Sequence, residues 1–279
     1  MTAFYKMHGL GNDFVVFDAR IRGFALDEPT ARAIADRRLG VGCDQVILME
    51  RAGSEGDAAM RIFNADGDEV ESCGNAARCV GRLLMEEKDK ISVRLETLGG
   101  LLVCSDAGAG AVTVDMGAPK LDWSDIPLAH AMDTNAFPLL VEGHEFKAAA
   151  VSVGNPHCVI LTEDAEQAPL SELGPRIEHH VFFPNRTNVE FVSLLAPGRL
   201  RMRVWERGAG VTRACGTGAC AAAIASHRRG LGPRLWEVVL DGGLLAIDWR
   251  RRDDHVLMTG AASFTFAGNI DLAVLEARV

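Results

Sequence analysis

Cys73-Gly74-Asn75-Ala76-Ala77-Arg78-Cys79-Val80 and Cys215-Gly216-Thr217-Gly218-Ala219-Cys220-Ala221-Ala222 are the two stretches whose comparison decides the fold. They stand 142 positions apart, and around them other short patterns return in the same order at an offset of 143. Gly11-Asn12 recurs as Gly154-Asn155, Gln45-Val46 falls on Asn188-Val189, Gly99-Gly100-Leu101-Leu102 on Gly242-Gly243-Leu244-Leu245, and Gly117-Ala118 on Gly260-Ala261. One such match is weak, but an ordered series at a constant offset is the mark of a duplicated unit. Two homologous domains are therefore expected, 1–120 carrying Cys73 and 121–264 carrying Cys215. The tail 265–279 has no partner in the first half and is expected to return to it. The segment from Leu121 to Glu145, with Pro127 and Pro138 and little periodicity, is expected to be a crossover.

Each half has the same local pattern. Short β-branched or aromatic runs bounded by Gly, Asp or Asn, such as Phe14 to Phe17, Val46 to Met49, Val93 to Leu95 and Val112 to Met116, predict strands. After Cys73 and after Cys215 the small, apolar composition predicts a helix, and the second one, Thr217 to Ala225, has almost no polar face and is expected to be buried on all sides. A further helix is predicted over Pro29 to Arg38, with Asp27 as its cap and Pro29 in the first turn. The fold class that follows is α+β: two mostly β domains, each wrapped around a buried helix.

The 279 residues carry a net charge of -9 with scattered basic residues, so no polyanion footprint exists and nucleic acid is not an expected partner. The N-terminal stretch has no apolar export signal and no run of about 18 apolar residues occurs, so a cytoplasmic protein with no membrane segment is expected. Seven cysteines, an odd number, then point to reduced thiols. Cys73/Cys79 and Cys215/Cys220 would point about 240° and 140° apart on a helix, which disfavours a metal clamp. Five of the seven are expected to be small buried hydrophobes.

Cys73 and Cys215 differ from those five because each opens a predicted helix. Unpaired amides and the positive end of the helix dipole favour a thiolate there, and the same amides make an anion site that suits a carboxylate. A cysteine so placed is expected to titrate near neutrality and to serve as a general base or acid. Removal of an α-proton from an amino acid puts negative charge into its carboxylate, which such amides stabilise. Duplication alone preserves core patterns as readily as sites. The repeated amides Asn12 with Asn155 and Gln45 with Asn188, however, sit beside turns and are not core hydrophobes.

The blocks Met7 to Phe14, Phe63-Asn64-Ala65-Asp66-Gly67, Cys73 to Cys79, Gly154-Asn155-Pro156-His157-Cys158, Glu206 to Gly210 and Ala214 to Ala221 together resemble the diaminopimelate epimerase family, over both halves in order. The resemblance implies two pseudo-symmetric β domains, each around a central helix, with the active site in the interdomain cleft. It implies interconversion of L,L- and meso-diaminopimelate without pyridoxal phosphate or metal, in lysine and peptidoglycan precursor synthesis, by a homodimer. On the matching positions, Cys73 would be the base toward the L,L isomer and Cys215 the acid for the opposite face. His157 and Glu206 would set the thiols' protonation or hold the ammonium. Asn12, Gln45, Asn64, Asn155 and Asn188 would bind the substrate, with the backbone of Gly74-Asn75 and Gly216-Thr217 on the reacting carboxylate. Glu206 would also contact the substrate, and Arg207 would take its distal carboxylate.

Two positions depart from the family pattern: Val211 where a Glu is usual, and Ala76 where a Gly is frequent. Cys43, beside Gln45, adds a thiol with no assigned role. The alternatives are a proline or hydroxyproline racemase on the same fold, a thiol redox protein cycling Cys73 and Cys215, and a binding module for amino acids. A second carboxylate would discriminate against a cyclic imino acid, and the absence of Cys-x-x-Cys weakens the redox reading.

Overall fold

The structure is a computed structural model and describes residues 1–71 and 73–273. The chain divides into two compact units, one made of Met1–Val114 and the chain from Thr259 onward, the other of Asp115–Met258. The first holds β1 (Thr2–Gly9), β2 (Asn12–Asp18), α1 (Glu28–Ala35), β3 (Gln45–Glu50), β4 (Ala58–Asn64), β5 (Glu69–Val70), α2 (Gly74–Lys88), β6 (Ser92–Thr97), β7 (Gly100–Asp106) and β8 (Ala111–Asp115). The second holds β9 (Phe137–Val141), β10 (His144–Ser152), β11 (Pro156–Leu161), α3 (Leu170–Glu178), β12 (Asn188–Ala196), β13 (Arg199–Glu206), β14 (Gly210–Thr212), α4 (Gly216–Arg228), β15 (Leu235–Leu240) and β16 (Gly243–Trp249). β17 (Val256–Ala261) then leads into β18 (Ser263–Ile270).

The duplication is written in the strand pairing. In the first unit β18 and β2 flank β1 antiparallel, β2 runs parallel to β3, β4 is antiparallel to β3 and β5 and parallel to β6, and β6 is antiparallel to β7. In the second, β9 and β11 flank β10 antiparallel, β11 runs parallel to β12, β13 is antiparallel to β12 and β14 and parallel to β15, and β15 is antiparallel to β16. Even the register repeats. Phe14 faces Gln45 across the β2–β3 pair, and His157 faces Asn188, each 143 positions on, across β11–β12.

Each long helix is enclosed by the strands of its own unit. α2 touches β1, β2, β6 and β7, while α4 touches β10, β11, β12, β13, β15 and β16. The α4 side chains from Ala219 to Ser226 are buried, as the unbroken run of small residues predicts. α2 buries even Arg78, which donates to Asn75 Oδ1 at 2.9 Å and to the Ala261 carbonyl at 3.3 Å. Gly9 makes room for it, since a Cβ there would stand 2.9 Å from the guanidinium. One cluster of the first unit gathers Phe4, Val15, Phe17, Ile34, Val46, Leu48 and Phe63, and one of the second gathers Phe137, Leu139, Ile160, Leu173, Ile177 and Phe191. Truncating one of the fully buried aromatics, such as Phe17→Ala, costs about 3–5 kcal/mol by the usual measure of such cavities.

Two expectations are corrected, and one helix was not expected at all. The helix predicted over Pro29 to Arg38 begins as expected, with Asp27 accepting from the Thr30 amide at 3.0 Å, but it ends at Ala35. Asp36 stops it because its carboxylate captures the Arg38 and Leu39 amides, each at 2.7 Å, in competition with the helix. The segment Leu121 to Glu145 is more than a crossover, for it contains β9, whose Phe137, Leu139 and Val141 alternate inward. Glu142 and Gly143, both at positive φ, turn it tightly into β10. Finally, α3 escapes sequence reading because Gly174 and Pro175 lie inside it. Gly174 is required there by Trp205, whose ring atoms would lie 2.7 Å from a Cβ. Among the described residues no helix is long and apolar enough to cross a membrane.

Candidate active site

The first unit brings its predicted binding residues together at the start of α2. A two-residue turn, Leu10-Gly11, with φ of 56° and 83°, joins β1 to β2 and delivers Asn12. Its carboxamide is held at both ends: Nδ2 donates to Asp44 Oδ2 at 3.0 Å, and Oδ1 accepts from Asn75 Nδ2 at 3.2 Å. Gln45 and Asn64 are cross-strand partners whose amides bond at 2.9 Å, leaving Gln45 Oε1 buried and unpartnered. Cys73 is the N-cap of α2 in an extended conformation, and the helical bonding begins with the Ala77 amide on the Cys73 carbonyl at 2.9 Å. The amides ahead of that bond, starting with Gly74, lie at the open end of the helix.

The second unit repeats this with different chemistry. Cys215 caps α4, and its sulfur accepts from the Gly218 amide at 3.3 Å and lies 3.5 Å from the Thr217 hydroxyl. Glu206, the last residue of β13, receives the Thr212 hydroxyl and makes a side-chain hydrogen bond with Cys215. Asn188 donates to the Pro156 carbonyl at 2.9 Å and accepts the Arg207 amide at 2.9 Å, which fixes the turn carrying Arg207. The Arg207 side chain is exposed, with one guanidinium nitrogen 3.2 Å from the Asn185 carbonyl. His157 is fully buried between Glu190, 2.6 Å from its Nδ1, and Asn155, 2.9 Å from its Nε2.

Electrostatics overturn one expectation. A thiol at a helix start should be acidic, yet Cys215 is raised well above its ordinary value by burial, then by the carboxylates of Glu206 and Glu190, against which Thr217 and the Gly218 amide pull weakly. Burial also raises Glu206 and Glu190, which the contacts of Thr212, Cys215 and His157 only partly offset. Helix position alone therefore does not set this thiol. In the other unit Asp13, beside Asn12, would be raised by burial but is held at about 2 by Arg37 and Lys6.

None of the seven cysteines is in a disulfide, and Cys43, Cys79, Cys104, Cys158 and Cys220 are buried. Burial pushes Cys43, Cys79 and Cys104 up to about 12 and Cys158 well above its usual value, and none of these four opens a helix as Cys73 and Cys215 do. Sequence reasoning missed Glu190, Thr212 and Asp44. A charge inside the apolar run Asn188-Val189-Glu190-Phe191 was the available signal for the first. Val211, the position departing from the family pattern, is exposed on β14, and Ala76 is buried in the first turn of α2.

The sequence pattern of the diaminopimelate epimerase family matches residues 4–121 and 149–265, the two repeats with the intervening segment left out. The chain belongs to the diaminopimelate epimerase family. It is similar to the diaminopimelate epimerase of Rhodospirillum centenum, 51% identical over 273 residues that cover 98% of this chain and 93% of that one. It is 53% identical to that of Phenylobacterium zucineum, over 96% of this chain and 97% of the relative. Among solved structures, a probable proline racemase from Agrobacterium radiobacter superposes with a TM-score of 0.70 over 98% of this chain and 93% of its own, at 17% identity. That likeness establishes the shared two-domain, mostly β fold and no more.

Proposed function

We propose that this chain interconverts L,L- and meso-diaminopimelate by proton transfer at one α-carbon, with Cys73 and Cys215 as the two exchanging groups. The observation that carries the reading is the repeated Cys-Gly at the N-cap of α2 and α4, in a family whose relatives near 50% identity bear that name. In the direction from the L,L isomer, Cys73 as thiolate takes the α-proton. The electron pair left on carbon spreads into the substrate carboxylate, which the helix-start amides at Gly74-Asn75 and Gly216-Thr217 would hold. Cys215 then gives its proton to the opposite face, so one thiol gains the proton the other loses. Burial and the neighbouring carboxylates keep Cys215 protonated, which is the state that role starts from. Written this way, the step balances without pyridoxal phosphate or a metal. Asn12, Gln45, Asn64, Asn155 and Asn188 would bind the substrate's polar groups, Glu206 and His157 would govern Cys215, and Arg207 would pair with the distal carboxylate.

The test is epimerisation in heavy water. Early product should carry deuterium at one α-carbon while recovered substrate stays protiated. Equal labelling of both would instead mean a single exchanging base, and turnover of proline in place of diaminopimelate would favour the racemase reading. Activity that survives chelator, with no pyridoxal phosphate absorbance, is the matching expectation for cofactors.

A cytoplasmic homodimer belongs to the same proposal, without nucleic-acid or membrane partners, in line with the net charge of -9. The dimer finds support in the exposed aromatics Tyr5, Phe264 and Phe266 on the paired strands β1 and β18, which are 37%, 50% and 46% exposed. Sedimentation of the protein and of Phe264→Asp checks it, the variant being expected to shift toward monomer.

A further inference from the structure

The two units carry the same register, so each position in one has an internal control in the other. At the places where the second unit has His157 on β11 and Glu190 on β12, the first has Phe14 on β2 and Ile47 on β3, both with no exposed surface. The architecture is thus satisfied by two hydrophobes. The second unit instead buries an imidazole and a carboxylate completely, and it leaves Glu190 Oε2 with no hydrogen-bond partner. Burying such groups is unfavourable unless their bonding is complete, so their presence calls for a use beyond packing.

The geometry shows what they do. His157 Nε2 lies 2.9 Å from Asn155 Oδ1, which can only accept, so Nε2 carries a proton. Nδ1 lies 2.6 Å from Glu190 Oε1, and that contact holds one proton, either on the ring facing a carboxylate or on the carboxyl facing a bare nitrogen. In both states Nε2 remains a donor. An imidazole whose Nδ1 had no partner would be free to take the other tautomer, whose bare Nε2 would turn the Asn155 amide around. Glu190 has its place because residue 218 is glycine: a Cβ there would stand 2.9 Å from Oε1 and 3.2 Å from the Cys215 sulfur.

We infer that Glu190 is a positioning residue: acting through His157, it locks the Asn155 carboxamide with its oxygen inward and its NH2 group presented to the bound substrate. The inference rests on the epimerase reading above for the identity of that substrate, and on the three-residue chain for the rest. Asn12, the counterpart of Asn155, is locked by other means, between Asn75 and Asp44.

The test compares epimerase kinetics of the wild type with Glu190→Ile, Glu190→Gln, Asn155→Ala and the Glu190→Ile/Asn155→Ala double variant, together with nitrogen-15 NMR of histidine-labelled protein. Glu190→Ile should raise KM about tenfold, the equivalent of one hydrogen bond to a charged group, with a smaller change in kcat. Glu190→Gln should recover most of this, because its amide can donate to Nδ1 and keep the proton on Nε2. The double variant should be no worse than Asn155→Ala alone. In the spectra, His157 Nε2 should be protonated in the wild type and in Glu190→Gln, and should lose that single state in Glu190→Ile. An unchanged KM in a folded Glu190→Ile, penalties that multiply in the double variant, or an unprotonated Nε2 in the wild type each overturns the inference. A wild type inactive on diaminopimelate would sink the proposed substrate instead, and the Nε2 resonance would still decide the relay.

Discussion

Cys215 accepts a hydrogen bond from the Gly218 amide, 3.3 Å from its sulfur, inside the first turn of α4. That bond favours the thiolate, as a helix start should. It is outweighed, because the sulfur is almost wholly buried and faces the carboxylates of Glu206 and Glu190, so the proton is retained.

The ligand-free protein is therefore expected to hold Cys215 as a thiol at neutral pH. Alkylation of Cys215, followed by peptide mapping, should accelerate only at alkaline pH. Removing the nearer negative charge in Glu206→Gln should move that rise to lower pH, since the second-largest cause of the shift is lost. A midpoint that stays in place would show that the Glu206 charge does not hold the proton, and one that moves upward would reverse the sign assigned to it.

Asp13 should contribute to the acid side of the stability profile. Burial alone would raise its carboxyl, but Arg37 at 2.6 Å and Lys6 at 2.5 Å bring it from 3.8 down to about 2. A folded-state value below the unfolded one means that the contribution is complete above about pH 4 and fades as pH falls through about 2. Asp57 and Asp253, each also held at about 2 by paired cations, act in the same window. Asp13→Asn should thus lower the Tm at neutral pH, and the gap from wild type should close between about pH 4 and pH 2. A gap that persists unchanged at the acid end would mean that Asp13 matters for packing and not for charge.

How much of this was legible beforehand differs from residue to residue. The repeat could be read because Gly-Asn turns and Cys-Gly helix starts depend on local backbone needs, and these survive as short motifs at a fixed offset. The interior of α4 could be read for a similar reason, since the eight residues from Gly218 to Ala225, all small or apolar, leave only burial as an outcome. What was not legible depends on strands distant in sequence. His157 meets Glu190 only because β11 and β12 run parallel in one register, and the proton affinity of Cys215 depends on carboxylates carried by β12 and β13. The end of α1 was misplaced by a local competitor, the Asp36 carboxylate, and α3 was hidden by a glycine kept for Trp205.

Arg207 offers the sharpest separation of binding from folding. Its backbone amide is fixed by Asn188 Oδ1 at 2.9 Å, so the turn does not depend on its side chain, and the exposed guanidinium reaches only the Asn185 carbonyl at 3.2 Å among its described hydrogen bonds. Exposed substitutions of this kind alter stability by no more than about 0.5 kcal/mol. A paired contact from a planar guanidinium to a carboxylate contributes roughly 1.5–3 kcal/mol, which corresponds to a roughly ten- to hundredfold change in affinity. Arg207→Ala should accordingly raise KM for diaminopimelate by that factor while Tm stays within a degree or two of wild type. Arg207→Lys should recover only part of the loss, because an ammonium keeps the charge without the two-pronged geometry. An analogue lacking the distal carboxylate supplies the deciding comparison. Wild type and Arg207→Ala should turn it over with similar KM, whereas equal penalties on both substrates would place Arg207 elsewhere than at the distal end.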